Sequence, residues 1–382
     1  MKIFVIPATY NESENIEEFI RVLEEEVFPQ IKNHDMHILV ADDYSPDGTG
    51  DIVKRLMKKY KNLGISEGEK KGLGAAYIRA MGYAIREKGA DVVISIDADF
   101  QFDPHDLVKF VKKIDEGYDV VVQTRYSDGG SIPENWPLQR KIFSKVANLF
   151  VRTVFMRFHV HDWTGGFRAI KKEVFLKEEH EMKEYNGYIF QIAFLHKAVR
   201  DGFRIGEVPL HFSDRKLGSS KIASLSYIID VVWFVMTTRF IELIKGPFGK
   251  FLLVGGIGFI LNAVLYEIFV NTTHFPIAVC NIMAAQFAIF SNYNLNNLWT
   301  FKGRGKRTVG QYFLRMGQFF LTSNIGVILI QSGTIQIGDM LFGEEYYRIY
   351  FLIGTGFLML WNFTIYNKII WKKRPKRHEA EA

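Results

Sequence analysis

A single cysteine, Cys280, among 382 residues leaves no partner for an intrachain disulfide and no thiolate set for a zinc cluster. No GxGxxG follows the first apolar run, so the fingerprint of a nicotinamide-dinucleotide site is missing. The chain opens on Lys2 and passes directly into an apolar run at residues 3–6, so no signal peptide is expected. Long apolar runs are absent up to about residue 222, where charged and apolar residues mix as in a soluble α/β domain. The formal charge of +6 lies largely in one loop and the tail, which fits attraction to anionic headgroups and a lipid bilayer rather than nucleic acid.

Beyond that point the apolar runs are long. Residues 251–270 contain only Asn262 and Glu267 as strongly polar members, enough at 1.5 Å per residue to cross roughly 30 Å of hydrocarbon. Residues 275–293, 312–337 and 346–371 offer three more candidates, so four spans in two hairpins are expected. The turns within the hairpins (271–274 and 338–345) lack Lys and Arg, whereas the connecting loop has Lys302, Arg304, Lys306 and Arg307 and the tail has Lys372, Lys373, Arg374, Lys376 and Arg377. The positive-inside rule then places both termini and the soluble domain in the cytoplasm of a multi-pass membrane protein. Residues 222–244 are too interrupted by Ser, Asp, Thr and Arg for a span and read as amphipathic helices in the interface, with Trp233 and Phe234 at headgroup depth. The expected organisation is a catalytic domain over 1–222, interface helices over 223–246, a transmembrane domain over 247–371 and a basic tail over 372–382.

The soluble part repeats strand, polar loop and helix, as in a parallel sheet with covered faces. Its centre is the run VVISIDADFQ, in which a buried strand delivers Asp97 and Asp99 together at its carboxyl end, where open α/β sheets bind ligands. Two carboxylates one residue apart repel unless a cation lies between them, and hard oxygen ligands favour Mg²⁺ or Mn²⁺. Gln101, one alternation further on, is expected to supply a third oxygen. The competing reading of this Asp-x-Asp is a solvated turn before the helix at Pro104. At the first two strand ends, Glu12 and Asp42 suit the ring N–H donors of a base, since an ionised carboxylate only accepts hydrogen bonds; Tyr10 adds a stacking or edge contact. Asp42 and Asp43 serve equally well as caps ordering the turn before the next helix. Lys71 lies near enough in sequence to a glycine-rich helix start to touch a diphosphate.

Further cations follow at Arg125, Arg140, Lys141, Arg215 and Lys221, with Ser144 on the same predicted helix as Arg140. Each alone reads as surface charge; together they suit an anionic lipid headgroup, for which Arg offers a bidentate grip. Asn262, Glu267, Asn281 and Asn292 in the spans admit a different class of function, transport of a lipid-linked sugar, against the plainer role of helix-to-helix hydrogen bonding.

PATYNE, ADDYSPDGT, DADFQFDP, QTRY, TGGFRA and DRKLGSSK, in this order, resemble the inverting family-2 glycosyltransferases and most closely their dolichol phosphate mannose synthase branch, over about residues 1–222. KFLLVGGIGFILNAVLYEIFV and SNYNLNNLWTF resemble a GtrA-like four-helix unit. The resemblance implies a GT-A, Rossmann-like fold that transfers mannose from GDP-mannose to a dolichyl or other polyprenyl phosphate. It places the nucleotide sugar on Pro7, Ala8, Tyr10, Glu12, Val40 and Asp42, the metal and diphosphate on Asp97, Ala98, Asp99 and Gln101, and the donor or acceptor phosphate on Arg125, Arg215 and Lys221; Arg140 and Ser144 join the acceptor phosphate site on the reading of the residues alone. Polysaccharide-forming relatives carry a catalytic carboxylate where this chain has Gln191. An alcohol acceptor needs a general base and a phosphate oxyanion does not, so the substitution points to a lipid phosphate acceptor. A UDP-hexose donor remains open, because Asp42 does not distinguish guanine from uracil.

Overall fold

β-branched and apolar residues that alternate between two faces build the sheet at the centre of the first unit. Ile3 and Val5 turn to one side of strand β1 (Lys2–Thr9) and Phe4 and Ile6 to the other, and all four are buried, which requires helices on both faces. The computed structural model describes residues 1–133, 136–182, 185, 187–211, 225–304 and 308–372. It divides into two compact units, Met1–Thr237 and Thr238–Ala382.

In the first unit β1 is followed by α1 (Ile16–Val22), β2 (Asp35–Asp42), α2 (Thr49–Leu56), β3 (Leu63–Glu67), α3 (Leu73–Arg86), β4 (Val92–Asp97), α4 (Leu107–Asp115) and β5 (Val120–Thr124). Then come α5 (Leu138–Phe155), β6 (Arg168–Lys171), α6 (Lys172–Met182), α7 (Gly187–Arg200) and β7 (Ile205–Pro209). The strands lie in the order β3-β2-β1-β4-β6-β5-β7. Helices α1, α2 and α4 close one face through Phe19, Val53 and Phe110, and α3, α5, α6 and α7 close the other through Tyr77, Val151, Phe175 and Phe194. The sheet is not wholly parallel, as the repeating pattern implied: β6 runs antiparallel between β4 and β5. Although α5 lies between β5 and β6, the chain re-enters the sheet from the 162–167 loop at the carboxyl ends of β4 and β5, so β6 runs against both.

Because the chain winds outward from β1 through β2 to β3 and then returns to place β4 on the other side of β1, the winding reverses between β1 and β4. Register sets Ala8 beside Asp97 on β4 and Ala41 on β2, and Thr9 beside Asp42. Three parallel strands therefore end level with one another at that point.

Helix α8 (Leu225–Lys245) is one continuous helix over the segment expected to hold interface helices, and the division between units falls within it. Trp233 is 71% exposed, whereas Phe234 is buried among core residues of the first unit with its ring edge-on to Tyr185. Adjacent helical positions face about 100° apart, so the two aromatics do not share a depth as expected.

The second unit holds α9 (Pro247–Thr272), α10 (Ile277–Leu295), α11 (Val309–Gly326), α12 (Ser332–Phe342) and α13 (Tyr347–Ile365). Helices occupy all four expected spans, but among the described residues three are long and apolar enough to cross a membrane: Pro247–Thr272, Val309–Phe342 and Ile349–Ile370. α10, which carries Gln286, Asn292 and Asn294, is not one of them. Gly258 on α9 opens the space that the Asn292 side chain of α10 fills, and Gly338 on α12 does the same for Tyr350 on α13, close approaches of the kind that hold helices together in lipid. Three π-helical turns, Asn296–Thr300, Val327–Gln331 and Tyr366–Ile370, continue α10, α11 and α13. The first and last repeat a pattern: Asn292, Asn297, Phe301 and Lys302 recur at one fixed offset as Asn362, Asn367, Trp371 and Lys372. Phe301 and Trp371 stack on one another at 4.8 Å between ring centroids.

Candidate active site

The loops after β1 and β2 are knitted into one body. Asn11 N–H donates to Ser45 Oγ (3.1 Å), Glu12 N–H to Thr49 Oγ1 (3.1 Å) and Ser13 N–H to Asp47 Oδ2 (2.9 Å). Burial alone would raise Asp47, but its hydrogen bonds from Thr49 and Ser13 hold it down at about 2. Asp42, 1% exposed, accepts from Thr9 Oγ1 (2.9 Å), Ser45 N–H (2.9 Å) and Ser45 Oγ (2.6 Å). Its carboxylate therefore orders the turn, the capping role that the sequence left open beside base reading. Glu12 accepts from Asn15 Nδ2 at 2.8 Å. Behind them Arg79 Nη2 donates to Asp43 Oδ1 (3.0 Å) and to the carbonyl of Asp42 (3.1 Å), fixing the end of β2.

Pro7 and Val40 are buried in β1 and β2 and shape the floor. Tyr10 stands 39% exposed with Lys70 Nζ 3.2 Å from its ring centroid, a cation–π contact. The lysine brought to the first strand end is thus Lys70; Lys71 is 70% exposed and pairs with Glu69. Nothing in the periodicity separates the two neighbours.

At the end of β4 Asp97 is half-buried, Ala98 2% and Asp99 4% exposed. The strand stops at Asp97, and Phe100 has φ 57°. The strand alternation that was expected to carry Gln101 to the side of the aspartates therefore does not continue. Instead Gln101 N–H donates to Asp99 Oδ1 at 3.1 Å and closes a tight turn. Asn11 (φ 62°) and Tyr44 (φ 49°) adopt the same left-handed region after β1 and β2, so all three strand ends facing the crevice carry a non-glycine residue in strained backbone. Tyr77 lies fully buried below, its phenol pushed well up by burial and then by the charges of Asp97 and Asp99.

The opposite wall is the 162–167 loop. Gly166 leaves a cradle in which an added Cβ would stand 3.7 and 4.0 Å from the Asp97 carboxylate oxygens and 3.9 Å from Gln191 Nε2. Gln191 is 2% exposed, and its Nε2 has no hydrogen-bond partner among the described residues. Arg168, fully buried, pins this wall by donating to the carbonyls of Gly165 (2.8 Å), Gln191 (2.6 Å) and Trp163 (3.0 Å), and burial lowers it to about 9. The sequence motif TGGFRA marks the loop but not this role for its arginine.

Among the described residues no third His, Cys, Asp or Glu joins Asp97 and Asp99 into a ligand cluster. The pair nevertheless fits Mg²⁺ or Mn²⁺, which take one or two carboxylates and fill their remaining positions with water and substrate phosphate. The open cradle between Asp97 and Gln191 leaves room for those groups.

The expected phosphate-binding residues are partly assembled. Arg125 is held by Asp162 and by Thr164 Oγ1 (2.7 Å). Next to it the Tyr126 hydroxyl bonds Ser144 Oγ on α5, and one turn away Arg140 lies with its guanidinium 3.7 Å from the Trp136 ring centroid. Asn148, one turn beyond Ser144, accepts from Trp163 N–H at 2.8 Å, so α5 is tied to the loop that holds Arg125. Leu138, Ile142, Phe143, Val146 and Leu149 expose an apolar stripe on the same helix. Arg215 and Lys221 lie outside the described residues.

Residues 4–177 match the family model "Glycosyl transferase family 2", and residues 250–371 match "GtrA/DPMS, transmembrane domain". A polyprenol monophosphomannose synthase of Mycolicibacterium smegmatis is 36% identical over 221 residues, 57% of this chain and 80% of that protein. A dolichol-phosphate mannosyltransferase of Pyrococcus furiosus is 30% identical over 375 residues, 97% of this chain and 99% of that protein. Among solved structures, the glucosyl-3-phosphoglycerate synthase of Mycobacterium tuberculosis aligns with a TM-score of 0.44 and 18% identity, covering 62% of this chain and 79% of that one. The chain is a membrane glycosyltransferase, and it belongs to the family of the dolichol-phosphate and polyprenol-monophosphate mannosyltransferases.

Proposed function

We propose that the chain transfers mannose from GDP-mannose to a dolichyl or other polyprenyl phosphate on the cytoplasmic face of the membrane, with inversion, giving the β-linked lipid phosphate mannose and GDP. The observation that carries this reading is the pairing, across the Gly166 cradle, of Asp97 with an amide at Gln191. The site has a diphosphate side built from carboxylates and, facing it, no carboxylate at the position from which an alcohol would be deprotonated. A lipid phosphate arrives already ionised and attacks without such help.

In this reading the crevice between β1 and β4 receives the nucleotide. Tyr10, Glu12 and the floor of Pro7, Ala8 and Val40 hold base and ribose, and Asp42 keeps the pocket wall in shape while facing the base edge. Lys70, beside Tyr10, adds positive charge near the donor. Asp97 and Asp99 would hold Mg²⁺ or Mn²⁺, which when bound neutralises charge on the departing diphosphate, while Gln101 closes the turn that sets Asp99. Arg125 contributes charge on the acceptor side and takes its orientation from Asp162. Arg140 and Ser144, with Arg215 and Lys221, receive the lipid phosphate, and the apolar stripe of α5 suits the lipid's prenyl chain. In this reading the more polar α10 crosses the bilayer with the three longer apolar helices, and four crossings leave both termini cytoplasmic, in accord with the loop charges.

Thermal unfolding of the full chain with Mn²⁺ and either GDP or UDP tests the donor: GDP raises the melting temperature at concentrations where UDP does not. The reverse order favours a UDP-hexose. Asp99→Asn abolishes both the Mn²⁺-dependent part of that shift and mannosyl transfer; transfer at near-normal rate in the presence of chelator removes the proposal.

A further inference from the structure

A basic cleft in the second unit lies outside every residue assigned to glycosyl transfer. It has a volume of about 530 Å³ and is lined by Arg304, Asn367, Lys368 and Lys372. Arg304 follows the π-helical turn that ends α10, and the other three lie in and after the turn that ends α13; Arg304 Nη1 donates to Asn367 Oδ1 and joins the two ends. Lys368 lies within that turn and Lys372 two residues past its end, and both line the same cleft, where their like charges repel. Among the described residues no carboxylate lines the cleft or pairs with any of the three cations. Arg304 is half-buried, and burial lowers its affinity for its proton, an electrostatic cost that no acidic side chain among the described residues offsets.

Two plainer roles account for part of this. Cations are favourable near the carbonyl-bearing ends of helices, and basic residues collect on the cytoplasmic side of spans. Neither explains why three cations converge on one concavity, nor why Arg304 is desolvated there. The surroundings fix the depth. The Arg304 guanidinium lies 5.2 Å from the Phe301 ring centroid, Phe301 stacks on Trp371, whose Nε1 donates to Asn297 Oδ1 (2.9 Å), and nearby in sequence Trp299 is 41% exposed, as aromatics at the headgroup level are. On α9 of the same unit Leu253, Phe259 and Ile260 are exposed, as on a helix that faces hydrocarbon.

We propose that this cleft binds the phosphate headgroup of a membrane lipid. Arg304, oriented by Asn367, offers a planar donor fork, and Lys368 and Lys372 add charge from one side, as basic pockets between transmembrane helices do for anionic lipids.

Native mass spectrometry of the full chain from mixed nanodiscs reads the site without reference to activity. Against a phosphatidylcholine background, wild type retains one phosphatidylglycerol that the Arg304→Gln/Lys368→Gln/Lys372→Gln variant loses, its affinity falling about a hundredfold, the order expected for three basic residues at a headgroup. A control, Lys58→Gln/Lys88→Gln/Lys112→Gln, removes as much charge from the first unit and keeps the lipid. Arg304→Lys, which preserves charge, separates lost binding from lost folding by retaining most of the affinity. Farnesyl phosphate and inorganic phosphate, added separately, distinguish a lipid phosphomonoester and a free anion. Displacement of phosphatidylglycerol by farnesyl phosphate but not by inorganic phosphate supports a lipid phosphate. Equal displacement by inorganic phosphate, or equal lipid retention by the triple variant and the control, overturns the proposal.

Discussion

Arg125 grips Asp162 at two points, Nε to Oδ2 at 2.7 Å and Nη2 to Oδ1 at 2.9 Å, and the carboxylate is completely buried. Burial would raise Asp162, yet the charge and hydrogen bonds of Arg125 hold it below the usual carboxylate range. A carboxyl with a depressed pKa stabilises the fold above its unfolded value of about 3.9, and that stability is lost as the pH falls through the lower folded value. Asp162→Asn leaves a buried guanidinium without its counter-charge and costs about 3–5 kcal/mol at pH 7. Arg125→Met combined with Asp162→Leu costs less than the two single changes together, a coupling that denaturant unfolding of the four proteins measures. Additive costs would show that the pair is not a unit.

Gln191 separates two kinds of acceptor chemistry. If the acceptor is a phosphate, Gln191→Ala lowers kcat by less than about tenfold, because no proton has to leave the nucleophile; loss of a general base typically costs 10²–10⁴-fold. Steady-state rates on a short polyprenyl phosphate decide, and a thousandfold fall in kcat contradicts the assignment.

Neighbouring glycines respond differently to the same methyl group. At Gly165 an added Cβ comes within 2.5 Å of the Gln123 side chain, a clash in a buried layer, so Gly165→Ala lowers stability by about 1–3 kcal/mol. At Gly166 the nearest atoms are the Asp97 oxygens at 3.7 and 4.0 Å and Gln191 Nε2 at 3.9 Å, ordinary contact distances. Gly166→Ala therefore folds normally but fills the cradle, and activity falls with little change in melting temperature. The opposite ranking would place the cradle elsewhere.

Glu178, with a side chain 1% exposed, is raised to about 6 by burial and by the charge of Asp201, against the opposing pull of Arg200 and Lys177. A carboxyl whose folded value lies above its unfolded one contributes stability below about pH 4.3, and loses it as the pH rises through 6. Glu178→Gln matches wild type near pH 4 and exceeds it by roughly 1–2 kcal/mol at pH 8. Melting temperatures across that range, followed by tryptophan fluorescence, show the two curves diverge or coincide.

The sequence by itself determined the division into a mixed-composition α/β part and an apolar part, the strand-loop-helix order, and the placement of Asp42 and Asp97 at strand ends. These follow from local patterns: alternation, run length and turn residues each act over a few neighbours. Only the tertiary structure decided which neighbour of a pair was used. Lys70 rather than Lys71 meets Tyr10, Phe234 rather than Trp233 enters the core, and a left-handed Phe100 turns Gln101 back on Asp99. It also decided that Arg125 is tied to Asp162, that Arg168 is a buried pin, and that β6 runs antiparallel. Each of these depends on which distant segment fills a given space, a question of packing and buried hydrogen-bond satisfaction that no local spacing encodes.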